Sequence, residues 1–138
     1  MEIKLDNDLD EKYYKMLDSE FDKHANKNGL SCKYESFTFT ARENGEVIGI
    51  LTGHSYYDEV HISDLIVLED YRGKHIGTQM MQKVEDYYKD KGFNEFTVNT
   101  YAFQAPEFYK KCGYDVLFVR ENEKNPKLSK YYLVKKTN

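Results

Sequence analysis

Asp64-Leu65-Ile66-Val67-Leu68-Glu69-Asp70-Tyr71-Arg72-Gly73-Lys74-His75-Ile76-Gly77-Thr78 runs from an apolar strand, through a turn carrying Arg, Gly and Lys, directly into a helix. Such a junction aims several backbone N–H groups at one place. It backs them with the positive end of a helix dipole and adds two cationic side chains. The stretch reads as a site for a phosphorylated ligand. A Walker loop is excluded, because its second glycine is followed by Lys-Ser/Thr, and Gly77 is followed by Thr78 and Gln79. The dinucleotide fingerprint is excluded too, because Gly73 and Gly77 do not supply three glycines in register.

Upstream of the turn the alternation slips. Val60 and Ile62 share a face, whereas Leu65 and Val67 have the opposite parity, with Ser63-Asp64 between them. One extra residue does this, which is the signature of a β-bulge. Downstream, Ile76, Met80, Val84 and Tyr88 recur at helical spacing, with Met81 and Tyr87 widening the stripe and Gly92 placed for a C-terminal cap. Phe96 and Val98 then alternate with Thr97 and Asn99. This is a fifth strand, parallel to the fourth because a helix crosses between them. Phe37, Phe39 and Ala41 precede Asn44-Gly45 and the run from Val47 to Leu51, an antiparallel hairpin. Residues 53–59 interrupt that pattern as a loop. Toward the N-terminus, Met1 to Leu5 alternates as a short first strand. Asp8 with Glu11 has the form of a capping box, and Leu9, Tyr13, Leu17 and Phe21 predict a core-packing helix ending near Asn28-Gly29. Past the fifth strand, Pro106 opens a short helix. Tyr114 to Arg120 is a sixth strand, residues 121–129 form a charged loop, and Tyr131 to Lys135 is a seventh strand.

The run Tyr71-Arg72-Gly73-Lys74-His75-Ile76-Gly77 after a strand resembles the pyrophosphate loop of the GCN5-related N-acetyltransferases (GNAT). Gln104-Ala105-Pro106-Glu107-Phe108-Tyr109-Lys110-Lys111-Cys112-Gly113-Tyr114 resembles that family's second recurring segment. Two motifs in the right order are far more specific than either alone. The resemblance implies an α+β, acyl-CoA N-acyltransferase fold in one domain over residues 1–138, with a mixed sheet of about seven strands and a bulged fourth strand, flanked by helices. It implies acetyl-CoA as acetyl donor, bound by the backbone of Leu65, Ile66 and Val67 and by Arg72, Gly73, Lys74, His75, Ile76, Gly77 and Thr78. His75 departs from a position that is commonly Gly. Ala102 stands where the family frequently has Asn, so Asn99 or Gln104 is the substitute cofactor contact. Tyr109 is the residue that protonates or stabilises the leaving thiolate; the alternative is an aromatic spacer between helix and sheet.

Only a neutral amine attacks a thioester, so a base is needed. Asp64 is placed first by position, and His61 titrates in the useful range. Glu59, Tyr56 and Tyr57 are less direct, and a water chain to solvent is the alternative. Cys32 and Cys112 have neither metal-ligand nor redox spacing, and no His/Cys/Asp cluster suggests a metal. With 138 residues, 32% charged residues and a net charge of −4, the chain reads as one cytoplasmic domain. The acidic balance disfavours nucleic acid, and no apolar window is long enough for a membrane. The expected reaction is direct acetyl transfer from acetyl-CoA to a primary amine of a small molecule or peptide. A non-catalytic acyl-CoA sensor or protein-interaction domain is the alternative. Tyr131-Tyr132 fits a homodimer interface or core packing equally well.

Overall fold

The computed structural model describes residues 1–138, which divide into two units, Met1–Lys33 and Tyr34–Asn138. In the first unit, α1 (Glu11–Lys27) starts at Asp10, whose carboxylate accepts the Lys12 N–H at 3.0 Å. The expected Asp8–Glu11 box is therefore corrected, because Glu11 is the first helical residue and cannot reach back from the third. At the other end Gly29 takes φ +73°, and the Leu30 N–H reaches the Ala25 carbonyl, a glycine-terminated cap. Met1–Leu5 is not a strand. Three apolar residues supply alternation, but a strand also needs a hydrogen-bonding neighbour, and the sheet does not include this segment. The stripe on α1 forms a helix, as its spacing predicts.

The second unit is a six-stranded mixed sheet, one strand fewer than expected. Its strands are β1 (Glu35–Glu43), β2 (Glu46–Tyr56), β3 (Glu59–Val67), β4 (Glu95–Tyr101), β5 (Asp115–Arg120) and β6 (Lys130–Lys136), in the order β1-β2-β3-β4-β6-β5. Asn44 and Gly45 both take positive φ, 51° and 82°, as a two-residue hairpin turn requires. The loop expected over residues 53–59 is shorter. β2 continues to Tyr56 because His54 and Tyr56 keep the period of two, and only Tyr57-Asp58 turn the chain. Between β3 and β4 lies α2 (Ile76–Asp90), closed by Gly92 at φ +93° and the Phe93 N–H to the Tyr88 carbonyl. α3 (Pro106–Lys111) follows β4, with proline in its first turn.

The bulge lies where parity placed it. Thr52 pairs with Asp64 and Gly53 with Ile62, leaving Ser63 as the extra residue. Val60 and Ile62 before it, and Leu65 and Val67 after it, therefore all pack into the core under Met80, Met81, Val84 and Tyr88. Gly53 is what permits the bend. A Cβ there would overlap the His61 carbonyl oxygen and stand 2.5 Å from the Phe37 ring. Gly53→Ala is expected to destabilise the protein by about 2–3 kcal/mol, as overpacking does, read as a lower urea midpoint at constant m. An unchanged midpoint would mean that β2 and β3 can separate freely.

Glu85 of α2 is buried, at 2% exposure. It accepts Lys135 Nζ of β6 at 2.7 Å and the Tyr114 hydroxyl at 3.2 Å. Lys135 also donates to the Cys112 carbonyl at 2.8 Å, so one ion pair ties α2, the end of α3 and the sheet together.

Candidate functional site

β3 and β4 are parallel neighbours over only three pairs, Val60–Phe96, His61–Thr97 and Ile62–Val98. The bulge at Ser63 begins where this pairing stops. From there to Val67 one edge of β3 stays paired with β2 while the other has no strand partner. Leu65, Ile66 and Val67 thus lie on an edge whose backbone is free of a strand partner and can receive an extended ligand. The Val67 carbonyl is already engaged, accepting Arg72 Nε at 2.9 Å, so this oxygen serves to aim Arg72.

From this edge the chain runs on to the Arg72–Thr78 turn. Gly73 and His75 both adopt positive φ, 79° and 62°, and such left-handed steps turn successive N–H groups toward one point. The first N–H groups of α2 have no partner inside the helix. No side chain caps them, and its first turn holds no acidic residue. α1 differs on both counts, with Asp10 as cap and Glu11 in its first turn. The start of α2 is therefore the end suited to an anion, and the residues present fit a pyrophosphate. Lys74 Nζ sits 5.4 Å above the Tyr71 ring, which holds its charge beside the turn. Gly77 has another role as well. A Cβ there would stand 3.2 Å from Phe108, so its absence lets the start of α2 approach α3. Thr78 turns partly toward α3, where a hydrogen bond from its hydroxyl opposes the rise that burial imposes on the Cys112 thiol.

Tyr109 is 6% exposed, between the rings of Phe108 and Tyr114. Burial first, then the negative charges of Cys112 and Asp64, push its phenol up to about 12. It stays protonated through neutral pH and is a donor. Asp64 itself is exposed, and its Oδ2 accepts the Thr52 hydroxyl at 3.0 Å.

His61 is half-buried at the point where β3 and β4 are still paired. Its Nδ1 lies 2.8 Å from Thr97 Oγ1, and Thr97 donates to Glu59 Oε2 at 3.2 Å. Burial is the largest influence lowering its pKa, and neighbouring His54 adds to it. Glu59 also accepts from Tyr56, which pushes that phenol up to about 12. Sequence reading missed Thr97 and Thr52, which meet the candidate bases only through strand register. Gln104 is used locally, its Oε1 accepting the Tyr101 N–H at 3.1 Å. Asn99 is half-buried on β4 opposite Tyr132.

A groove of about 680 Å³ between β1 and α2, lined by Phe39, Arg42, Ile76, Met80, Lys83 and Tyr87, reaches the first turn of α2 at Ile76. No group of His, Cys, Asp or Glu is arranged to hold a metal, and no helix is long and apolar enough to cross a membrane.

Among curated proteins, the chain is 33% identical over 78 residues to blasticidin-S acetyltransferase of Streptomyces morookaense, covering 56% of this chain and 57% of that one. It spans little more than half the length of the curated relatives it matches. Among solved structures, an acetyltransferase from Bacillus cereus superposes with a TM-score of 0.81 at 25% identity, over 99% of this chain and 98% of that one. An aminoglycoside 6'-N-acetyltransferase complexed with coenzyme A superposes at 0.64 and 18% identity, over 74% of this chain and 73% of that one. The acetyltransferase (GNAT) family pattern matches residues 4–114, which takes in the hairpin, the bulged strand, the turn before α2 and the whole of α3. With that match over most of its length, and with the parted strands leading to an uncapped helix, the chain belongs to the acetyltransferase (GNAT) family.

Proposed function

We propose that this chain is an acetyl-CoA-dependent N-acetyltransferase that acts directly on a primary amine in a ternary complex, as one cytoplasmic domain over residues 1–138. The observation that carries the reading is the stop in β3–β4 pairing at Ile62, which leaves one edge of β3 without a strand partner where the chain runs on to the uncapped start of α2. The donor supplies an activated acetyl group. The chain's own residues bind and protonate: the turn at Arg72–Thr78 holds the diphosphate, the free edge of β3 orients the arm, and Tyr109 donates a hydrogen bond and then a proton to the departing sulfur. The acceptor is read as a small-molecule or peptide amine, in line with the relative named for blasticidin S. Both cysteines are free thiols, which suits a reducing compartment.

Calorimetric titration with acetyl-CoA, followed by thiol release over a panel of amines, tests this. Binding is expected in the micromolar range, roughly −8 kcal/mol. Arg72→Ala should weaken it about tenfold or more, since it removes a charged phosphate contact. His75→Gly should bind at least as tightly as wild type, because glycine takes φ +62° without strain and keeps the N–H. Binding without turnover on any amine would favour an acyl-CoA sensor. Absence of binding would refute both.

A further inference from the structure

The cluster of polar side chains where β3 and β4 remain paired is not explained by cofactor binding. Its hydrogen bonds have a direction that can be worked out. A carboxylate oxygen only accepts, so the bond between Thr97 Oγ1 and Glu59 Oε2 consumes the single hydroxyl proton of Thr97. The 2.8 Å contact between Thr97 Oγ1 and His61 Nδ1 must then be donated by the ring. That fixes the neutral imidazole with its proton on Nδ1 and its lone pair on Nε2.

The geometry points to His61 as the general base for the acceptor amine, with Thr97 and Glu59 as positioning residues that fix its tautomer. This rests on the acetyltransferase reading above and deepens it. Between ammonium and amide the acceptor nitrogen sheds two protons. His61 Nε2 takes the first and passes it to solvent, which frees the nitrogen lone pair to form the C–N bond. The second also leaves to solvent as the C–S bond breaks, and the sulfur takes its proton from Tyr109, which is reprotonated from water.

Every element around His61 contributes. Glu59 and Tyr56 belong to the β2–β3 turn region, and the Glu59 carboxylate also accepts a hydrogen bond from the Tyr56 phenol. His54 on β2 lies 5.4 Å away, centroid to centroid, and Lys130 on β6 adds a positive charge. Burial, His54 and Lys130 outweigh Glu59, so the ring is kept neutral and able to accept at physiological pH. Asp64 lacks this arrangement: it is exposed and its hydrogen bond is to Thr52.

The test is Thr97→Val beside Thr97→Ser, with two readouts. Nitrogen NMR of the His61 ring reports the tautomer with no turnover needed. Steady-state kinetics then use acetyl-CoA and whichever amine supports thiol release. Wild type is expected to show the Nδ1–H form and a kcat/KM that falls on the acid side of the ordinary histidine value of 6.5. Thr97→Val should lose that tautomer and lower kcat on the order of tenfold or more, with KM for acetyl-CoA unchanged, and Thr97→Ser should restore both. A wild-type ring protonated on Nε2, or one indifferent to Thr97→Val, overturns the assignment. So does a lost tautomer with full kcat. Correct tautomers without thiol release from any amine refute the transferase reading instead, and the base role falls with it.

Discussion

Tyr109→Phe is expected to lower kcat for acetyl transfer about 100-fold, the lower range for loss of a positioned general acid, or about 2.7 kcal/mol of transition-state stabilisation. The KM for acetyl-CoA should hold, because the ring that fills space between Phe108 and Tyr114 is retained and only the hydroxyl is lost. The sign of its shift supports the role. A phenol pushed up to about 12 by burial and by the charges of Cys112 and Asp64 keeps its proton throughout the range in which amines begin to lose theirs. Such a group meets a thiolate as a donor. Poorer leaving groups should depend on it more, so comparing acetyl donors with thiols of differing acidity separates proton donation from packing. Equal kcat in Tyr109→Phe and wild type would show that the thiolate leaves unassisted and that Tyr109 is an aromatic spacer.

The second large effect is on stability. Glu85→Ala should cost about 3 kcal/mol, the lower end of the range for breaking a buried pair, because Lys135 is left with its charge only partly reachable by water. It also removes the acceptor of the Tyr114 hydroxyl. For a chain of this size that corresponds to a fall in Tm of about 10 °C. The double variant Glu85→Leu with Lys135→Met should recover most of the loss, since apolar replacement of a whole buried pair is often neutral or better. A loss below about 1 kcal/mol in Glu85→Ala would indicate that solvent reaches the pair and that it behaves as a surface contact.

Some features could be read locally because they are decided locally. Asn44-Gly45 forms the hairpin turn, since both residues tolerate positive φ. Gly92 closes α2 for the same reason. The bulge at Ser63 showed as a slip in a period-two pattern, because every residue after an inserted one changes face. Met1–Leu5 misled for the converse reason. Alternation describes one strand's faces and says nothing about a neighbour to pair with, and Met1–Leu5 has none. The first-helix stripe, by contrast, predicted its helix correctly, because four-residue spacing is itself a helical property.

The amino-acid order by itself determined the glycine-bearing turn before α2, the bulge in β3 and the family resemblance, all of which rest on backbone conformations and periodicities set within a few residues. The tertiary structure decided how the candidate acid and bases are surrounded. Thr97 lies 36 residues from His61 in the chain and 2.8 Å from it in space, brought there by the register of β3 on β4. The same folding buries Tyr109 and pairs Glu85 with Lys135. A tautomer, a raised phenol or a buried ion pair depends on what stands within a few ångströms, and neighbours of that kind are assigned by strand pairing and helix packing rather than by adjacency in the chain.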